Sequence, residues 1–171
     1  MSQQLDYITF NTNQGWVGIL SSVNGLLRTT LPQRSAQEVP QILGGSLNYA
    51  TRTPHLFDDL IRCFRLYFSG NRVTFPDQLD LSAATPFQRQ VWAITRLIPY
   101  GKTRSYTWVA EQIGKPRAVR AVGQALGRNP LPIIIPCHRV ITSQGQLGGY
   151  NGGVGWKSRL QLFERGFQDS L

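Results

Sequence analysis

The sequence predicts a two-domain α/β chain, with a small antiparallel sheet and a covering helix in residues 1–84 and a mainly helical domain in residues 85–171. Three observations lead to this fold class. Short alternating segments near the N-terminus are typical of strands, a later segment has helical spacing, and a capping signal after residue 84 starts a series of helices. With 171 residues and 41% hydrophobic content, the chain can bury two small cores.

The elements of the first domain follow from periodicity and turn signals. Residues 5–31 alternate loosely between apolar and polar around two turn signals that contain Asn and Gly, which predicts two or three short antiparallel strands. Residues 32–52 are rich in Pro, Gly, Gln and Ser, and we expect a loop there. Apolar residues then recur at helical spacing over residues 54–68, so a helix is expected to cover the sheet. We expect this domain to have a structural role.

The second domain is predicted to begin with a well-marked helix. Thr85 and Gln88 form a capping-box pattern around a proline, which predicts a helix over residues 85–97. Two shorter helices are predicted over residues 106–113 and 117–126, separated by a tight turn that contains Gly and Pro. This is the outline of a helix-turn-helix, a motif that reads DNA, although two helices joined by such a turn also occur in protein cores.

The net charge of +9 is carried by the second half of the chain. Residues 1–84 contain six basic and six acidic side chains, whereas residues 85–171 contain twelve basic side chains and three acidic ones. A phosphate backbone is the natural partner for a surface of this charge. A basic face that only maintains solubility is the alternative.

The strongest chemical signal is the segment Pro136-Cys137-His138-Arg139-Val140, which follows an apolar run. The thiolate form of cysteine is the nucleophile, so a reactive cysteine needs a base or a positive field nearby. The two residues after Cys137 offer both. A buried structural cysteine is the alternative reading of the same pattern.

Composition argues against other classes of site. Two cysteines provide neither a disulfide framework nor a cysteine-based zinc site, and His55 and His138 lie far apart in sequence, so we expect no metal. No stretch approaches the roughly 18 consecutive apolar residues of a membrane span. The N-terminus also lacks a basic leader followed by an apolar run, so we expect a cytoplasmic protein with no membrane partner.

The order of these motifs resembles the O6-alkylguanine-DNA alkyltransferase family, whose members repair DNA by direct reversal. The resemblance covers residues 85–166. In chain order the matching segments are Thr85-Pro86-Phe87-Gln88, Val91-Trp92, Ile98-Pro99-Tyr100-Gly101, Ser105-Tyr106, Arg120-Ala121-Val122-Gly123, residues 129–140, Gly149-Tyr150-Asn151-Gly152-Gly153, Lys157 and Glu164. It implies a ribonuclease-H-like first domain and a winged-helix-like second domain that contains the helix-turn-helix.

The resemblance also implies a reaction. An alkyl group of O6-alkylguanine, or of O4-alkylthymine, is transferred irreversibly to Cys137, and no residue is expected to hydrolyse the thioether, so each molecule acts once. The target base has to be flipped out, because its alkylated oxygen is out of reach inside the stack. The implied partner is double-stranded DNA, bound through the minor groove by a monomer, with cooperative binding left open. No cofactor is implied.

Roles for individual residues follow from the same resemblance. The catalytic set is Cys137 as nucleophile, His138 as base, Glu164 as the acid that orients the imidazole, Asn129 as a brace for the loop, and Tyr106 as a donor to the leaving base. The residues expected to contact DNA are Arg120, which enters the duplex, with Ser105, Ala121, Gly123 and Arg128. The residues expected to line the substrate pocket are Pro132, Val140, Tyr150, Asn151 and Gly152. Each has a plain structural alternative, such as a solvated acid, a capping tyrosine or close helix packing.

Two positions, Leu126 and Gln161, depart from the family pattern, and we expect neither to touch the chemical core. Three other functions stay open at this point. An acyl-transfer cysteine hydrolase could use the same cysteine, histidine and glutamate with multiple turnover. A noncatalytic module could recognise alkylated DNA, although the cysteine argues against it, and a sequence-specific regulator would dimerise on paired half-sites.

Overall fold

The computed structural model describes residues 3–150 and 154–166, and it divides the chain into two units, Met1–Ser82 and Ala83–Leu171. Strands and helices occur in both units, which makes this an α/β chain. Within the described residues, no helix is long and apolar enough to cross a membrane.

The first unit is built on a four-stranded sheet with the order β3-β2-β1-β4. Its strands are β1 (Leu5–Thr12), β2 (Gly15–Ser22), β3 (Gly25–Thr29) and β4 (Ala50–Arg52). Every second residue of β1 is buried, as expected of a strand with one face on the core. The β2–β3 turn needs Gly25, because its φ is +137° and an added Cβ would lie 2.5 Å from the Gln78 carbonyl oxygen.

The sheet is mixed, which corrects the prediction of a purely antiparallel one. β1 pairs antiparallel with β2, and β2 with β3, as the alternation over residues 5–31 predicts. β4 pairs parallel with β1, with Leu5 opposite Ala50, inside the segment that we expected to be loop. A three-residue strand is too short to show a periodic pattern, and its position depends on the neighbouring strand and not on its own composition.

Helical segments cover this sheet and form an aromatic core with it. They are the 3-10 turns Ala36–Glu38, Gly45–Tyr49 and Pro54–Phe57, with helices α1 (Val39–Leu43) and α2 (Asp58–Phe68). The helix predicted over residues 54–68 is confirmed, with its first turn wound as 3-10 helix. Phe64 is fully buried, with its ring centroid 6.0 Å from that of Phe10 on β1 and 5.1 Å from that of Phe75. α2 therefore packs on the sheet through aromatic contacts.

The second unit begins with the predicted capping box. Thr85 Oγ1 accepts from the Gln88 backbone at 3.1 Å, and Gln88 Oε1 accepts from the Thr85 backbone at 3.0 Å, which starts α3 (Pro86–Arg96). Helices α4 (Tyr106–Gln112) and α5 (Val119–Gly127) follow, close to their predicted bounds. The buried Trp92 indole donates to the Ala125 carbonyl at 2.9 Å, so α3 is fixed against α5.

The remaining elements position the segment around Cys137. Strand β5 (Arg104–Ser105) pairs parallel with β6 (Val140–Ile141), and the 3-10 turn Cys137–Arg139 leads directly into β6. Helix α6 (Val154–Gly166) follows the loop after β6 and packs against this turn. Because α4 begins directly after β5, the two-stranded ladder sets the start of α4 beside the Cys137 turn.

Candidate active site

Cys137 lies at the start of its 3-10 turn and is 5% exposed. The Asn129 amide nitrogen donates to Cys137 Sγ at 3.0 Å and to the Ile135 carbonyl at 2.8 Å, while its oxygen accepts from the Leu131 backbone at 2.8 Å. In the same loop, Ile133 has a φ of 77°, a left-handed conformation that is strained for a β-branched residue. Asn129 therefore holds both the strained loop and the sulfur in place.

The turn after Cys137 is anchored by a buried ionic network around Glu164. His138 Nε2 lies 2.6 Å from Glu164 Oε1. Arg139 donates to the same carboxylate through Nη2 at 2.9 Å and through Nε at 3.0 Å, and Gly101 donates its backbone N–H at 3.1 Å. Burial raises the pKa of the Glu164 carboxyl, but hydrogen bonds from His138 and Arg139 and the charge of Arg139 outweigh it and hold that pKa well below its usual range.

His138 is poised as a neutral base. Burial lowers the pKa of His138, and the positive charges of Arg139 and Lys157 lower it further, against the opposing effect of Glu164. A carboxylate only accepts, so the imidazole proton sits on Nε2 facing Glu164 and leaves Nδ1 as the basic nitrogen. The carboxylate thereby stabilises the imidazolium that forms when His138 takes a proton.

Cys137 needs such a base, because burial raises the pKa of its thiol. The hydrogen bond from Asn129 and the charge of Lys157 act in the opposite direction. Burial therefore favours the protonated thiol, and the groups that favour its thiolate are already in place around it.

A cavity of about 560 Å³ opens onto the Cys137 side chain. Its described lining consists of Tyr106, Val119, Arg120, Gly123, Gln124, Leu126, Gly127, Cys137, Gly149 and Tyr150. Tyr106, the first residue of α4, is half-buried, and its hydroxyl oxygen accepts from Lys157 Nζ at 3.1 Å. The site thus combines a thiol, an imidazole and a phenol beside a space that can admit a planar ring.

Comparison with known proteins agrees with this geometry. The family model described as the DNA-binding domain of 6-O-methylguanine DNA methyltransferase matches residues 86–166. The methylated-DNA–protein-cysteine methyltransferase of Mycolicibacterium paratuberculosis is 48% identical over 115 residues, which is 67% of this chain and 69% of that protein. This chain belongs to the methylated-DNA–protein-cysteine methyltransferase family.

Solved structures extend the match over both units of this family member. The crystal structure of the Mycobacterium tuberculosis O6-methylguanine methyltransferase has a TM-score of 0.81 and 36% identity, and the match covers 95% of this chain and 94% of that one. The M. tuberculosis protein in complex with DNA has a TM-score of 0.80 and 37% identity, again over 95% and 94%. The resemblance inferred from the sequence is confirmed.

The residues that we expected to contact DNA lie on and around α4 and α5. Arg120 is exposed at the edge of the cavity, and Gly123 lines it. Ser105 caps α4 by accepting from the Trp108 backbone at 2.9 Å. Ala121 is half-buried on α5, and Arg128 is exposed just after that helix.

The residues predicted to line the pocket divide into three groups. Tyr150 lines the cavity, whereas Asn151 and Gly152 lie outside the described residues. Val140 is fully buried and pairs with Arg104 in the two-stranded ladder. Pro132, which forms a bridge with Ile135, and Val140 both lie outside the described lining of the cavity.

Leu126 and Gln161 do touch the chemical core, so the expectation that they would not was wrong. Leu126 lines the cavity with Cys137, because the last turn of α5 faces the nucleophile loop. Gln161 donates from its side-chain nitrogen to the His138 carbonyl at 2.8 Å and fixes the catalytic turn to α6. A polar side chain in a buried helix position needs such a partner.

Lys157 belongs to the site, although the sequence reasoning gave it no role. It is fully buried and donates a hydrogen bond to the Tyr106 hydroxyl. Lys157 lies seven residues before Glu164, which places both side chains on one face of α6. Leu160 and Gln161 share that face and are buried too. A lysine within the buried stripe of a helix, seven residues before the acid expected to orient His138, was the signal that could have identified it.

Proposed function

We propose that this protein reverses alkylation damage in DNA directly, by moving the alkyl group of O6-alkylguanine, and of O4-alkylthymine, irreversibly to Cys137. The observation that carries the proposal is the cavity that opens onto Cys137 and has Tyr106 in its wall. Transfer of a methyl group from DNA to a protein cysteine is the activity in the name of the M. paratuberculosis relative. The thiolate and the substrate contain every atom that this displacement needs.

The proposed reaction starts with proton transfer from the Cys137 thiol to His138, whose imidazolium is then stabilised by Glu164 at 2.6 Å. The sulfur lone pair forms the new bond to the alkyl carbon, and the bond from carbon to the guanine oxygen breaks with its electrons on the base. Tyr106 donates to the ring of the departing guanine anion, which lowers the barrier to displacement. Asn129 holds the sulfur in line throughout.

DNA binding is assigned to residues 85–171, with α4 and α5 as a helix-turn-helix in a winged-helix-like domain. The small residues of α5 allow close approach to the minor groove, and the exposed Arg120 beside the cavity can occupy the space of the flipped nucleotide. Further contacts are assigned to Ser105, Ala121, Gly123 and Arg128.

The assignments for the rest of the chain are coarser. Residues 1–84 form a ribonuclease-H-like structural domain, and the protein acts on duplex DNA as a monomer. The pocket wall is assigned to Tyr150, with Asn151 and Gly152 beside it. A cytoplasmic location stays a prediction from the sequence.

The experiment that tests the proposal is an intact-mass measurement after incubation with a duplex that carries one O6-methylguanine. We expect a gain of one methyl group in place of the thiol hydrogen, on Cys137 and not on Cys63, with no turnover. The controls are Cys137→Ala and an undamaged duplex. Tight binding to the damaged duplex without a mass change would support a recognition module instead, and repeated turnover of an acyl substrate would support a hydrolase.

A further inference from the structure

Lys157 has an unusual environment for a lysine, because its side chain is fully buried on α6. Its Nζ donates to the Tyr106 hydroxyl oxygen at 3.1 Å, to the Gly149 carbonyl at 3.3 Å and to the Leu147 carbonyl. It also lies 5.4 Å from the centroid of the Tyr106 ring. Each of the three ammonium hydrogens therefore has an acceptor, and one of these acceptors is the phenol that faces the cavity.

This contact fixes the direction of the Tyr106 hydroxyl. An ammonium group only donates, so the Tyr106 oxygen has to accept from Lys157 and its hydrogen points elsewhere. The Gly149 carbonyl, at 3.5 Å, is at the limit of hydrogen-bond length, so this hydrogen is held weakly. Gly148 makes the packing possible, since an added Cβ there would lie 2.8 Å from the hydroxyl oxygen. The hydrogen of Tyr106 is thus available to a base in the cavity.

Lys157 and Tyr106 are arranged so that a proton can pass from the ammonium group to the phenol oxygen. Burial lowers the pKa of Lys157 to about 8, and burial raises the pKa of Tyr106 above its usual value. A tyrosinate formed at Tyr106 would therefore take a proton from Lys157. Once Cys137 is a thiolate, its negative charge raises the pKa of Lys157, so formation of a neutral thioether removes a charge that favours the ammonium.

We propose that Lys157 is a positioning residue for alkyl transfer, which acts through Tyr106 by directing its hydroxyl hydrogen to the departing base and by replacing the proton that Tyr106 gives up. The inference rests on the donor role proposed for Tyr106. The sulfur–carbon bond forms as the carbon–oxygen bond breaks, the Tyr106 proton goes to the guanine anion, and a Lys157 proton goes to the Tyr106 oxygen. A buried thiolate and ammonium thereby become a thioether and an amine, and both buried charges disappear in one step.

The test is a double-mutant cycle with Lys157→Met, Tyr106→Phe and both together, in a Cys63→Ser background that leaves Cys137 as the single thiol. Two rate constants are measured for each variant. One is single-turnover methyl transfer from an O6-methylguanine duplex at saturating protein. The other is alkylation of Cys137 by iodoacetamide, whose iodide leaves without needing a proton. Their ratio cancels any change in thiol ionisation, and far-UV circular dichroism checks that each variant is folded.

The expected result is that Lys157→Met and Tyr106→Phe each lower the ratio by about 10- to 100-fold, with no further loss in the double variant. Lys157→Gln, which donates but cannot release a proton, should lower it less. Exposed Arg62→Met, in the first unit and outside the residues assigned to DNA binding, is the control and should leave it unchanged.

The pH profile provides a readout that a purely structural role would not move. Among the described residues, Tyr106, Cys137 and His138 are titratable groups that interact with Lys157, and both reactions depend on the last two. The ratio should therefore fall as pH rises through about 8, where Lys157 loses its proton, and Lys157→Met should lack this decline.

The role of Lys157 would be overturned, and that of Tyr106 would stand, if Lys157→Met slowed both reactions equally. The same conclusion would follow if Lys157→Met lowered the ratio further in the Tyr106→Phe background. A normal ratio in Tyr106→Phe would overturn it together with the donor role of Tyr106. Absence of methyl transfer in the unsubstituted protein would instead contradict the proposed function, so the failures are distinguishable.

Discussion

Replacing Glu164 by glutamine should destabilise the second unit strongly, because one carboxylate serves four donors. Glu164 accepts from His138 Nε2, from Nε and Nη2 of Arg139, and from the Gly101 backbone. A glutamine amide retains a single oxygen with two acceptor positions, so about two buried donors lose their partner at about 1–3 kcal/mol each. These costs overlap with the loss of the Arg139 counter-ion, and breaking such a buried pair costs about 3–5 kcal/mol in all. We expect a loss of about 3–5 kcal/mol in the free energy of unfolding.

Urea denaturation followed by tryptophan fluorescence measures this loss, since three of the four tryptophans, Trp92, Trp108 and Trp156, belong to the unit that contains Glu164. The matched control is Glu111→Gln, the same change at an exposed position on α4, which should alter stability by less than about 0.5 kcal/mol. If both variants lost the same small amount, the reasoning that the carboxylate is essential to the buried network would be refuted.

The pH dependence of stability gives a second check on Glu164. Its pKa is depressed on folding, so its contribution is complete above the unfolded value of about 4.3 and is lost as pH falls toward the folded value. Between about pH 5 and pH 2, the unsubstituted protein should therefore lose more stability than Glu164→Gln, which has no carboxyl to protonate at this position. Parallel curves for the two proteins would contradict the assignment.

Three further predictions concern the loop, the phenol and the first helix of the second unit. Asn129→Ala removes a donor to the active-site sulfur, so the pKa of that thiol should rise, as read from the pH profile of iodoacetamide alkylation; an unchanged profile would contradict it. Gly148→Ala should slow methyl transfer by about tenfold or more, because its Cβ collides with the Tyr106 hydroxyl; Gly145→Ala has a similar φ and open space, and should transfer at the normal rate. Thr85→Ala should lower unfolding free energy by about 1 kcal/mol without changing the transfer rate, and a loss near zero in urea denaturation would argue against the capping box.

The sequence predicts a helix or strand best where the interactions that form it lie between residues close together in the chain. The capping box at Thr85 determines where α3 begins through contacts within four residues, and the structure has both of its hydrogen bonds. β4 had no such signal, because its pairing with β1 joins segments about 45 residues apart and depends on the whole first unit. Local patterns therefore placed most helices and three strands, while the fourth strand required tertiary context.

The candidate site divides in the same way. The Cys137–His138 pair is visible as adjacent residues, and the family resemblance adds Glu164, which the structure places 2.6 Å from the imidazole. The contacts of Gln161 and Lys157 could not be read locally, because they join α6 to the catalytic turn and to Tyr106 through space. The role of a buried polar residue can be assigned only when its hydrogen-bond partner is known.

In many enzymes the spacing of the reacting groups and the shape of the pocket wall are coupled. Here the pairing of β5 with β6 makes that spacing independent of the wall. Backbone hydrogen bonds pair Arg104 with Val140 and Ser105 with Ile141, directly before Tyr106 and shortly after Cys137. The spacing of nucleophile and phenol is therefore built into the main chain, which does not change when side chains are exchanged. The loop of residues 142–150, by contrast, leaves from the end of β6 and contributes Gly149 and Tyr150 to the cavity wall. Substitutions in that wall can widen or narrow the substrate range over evolution, while the reacting groups keep their alignment.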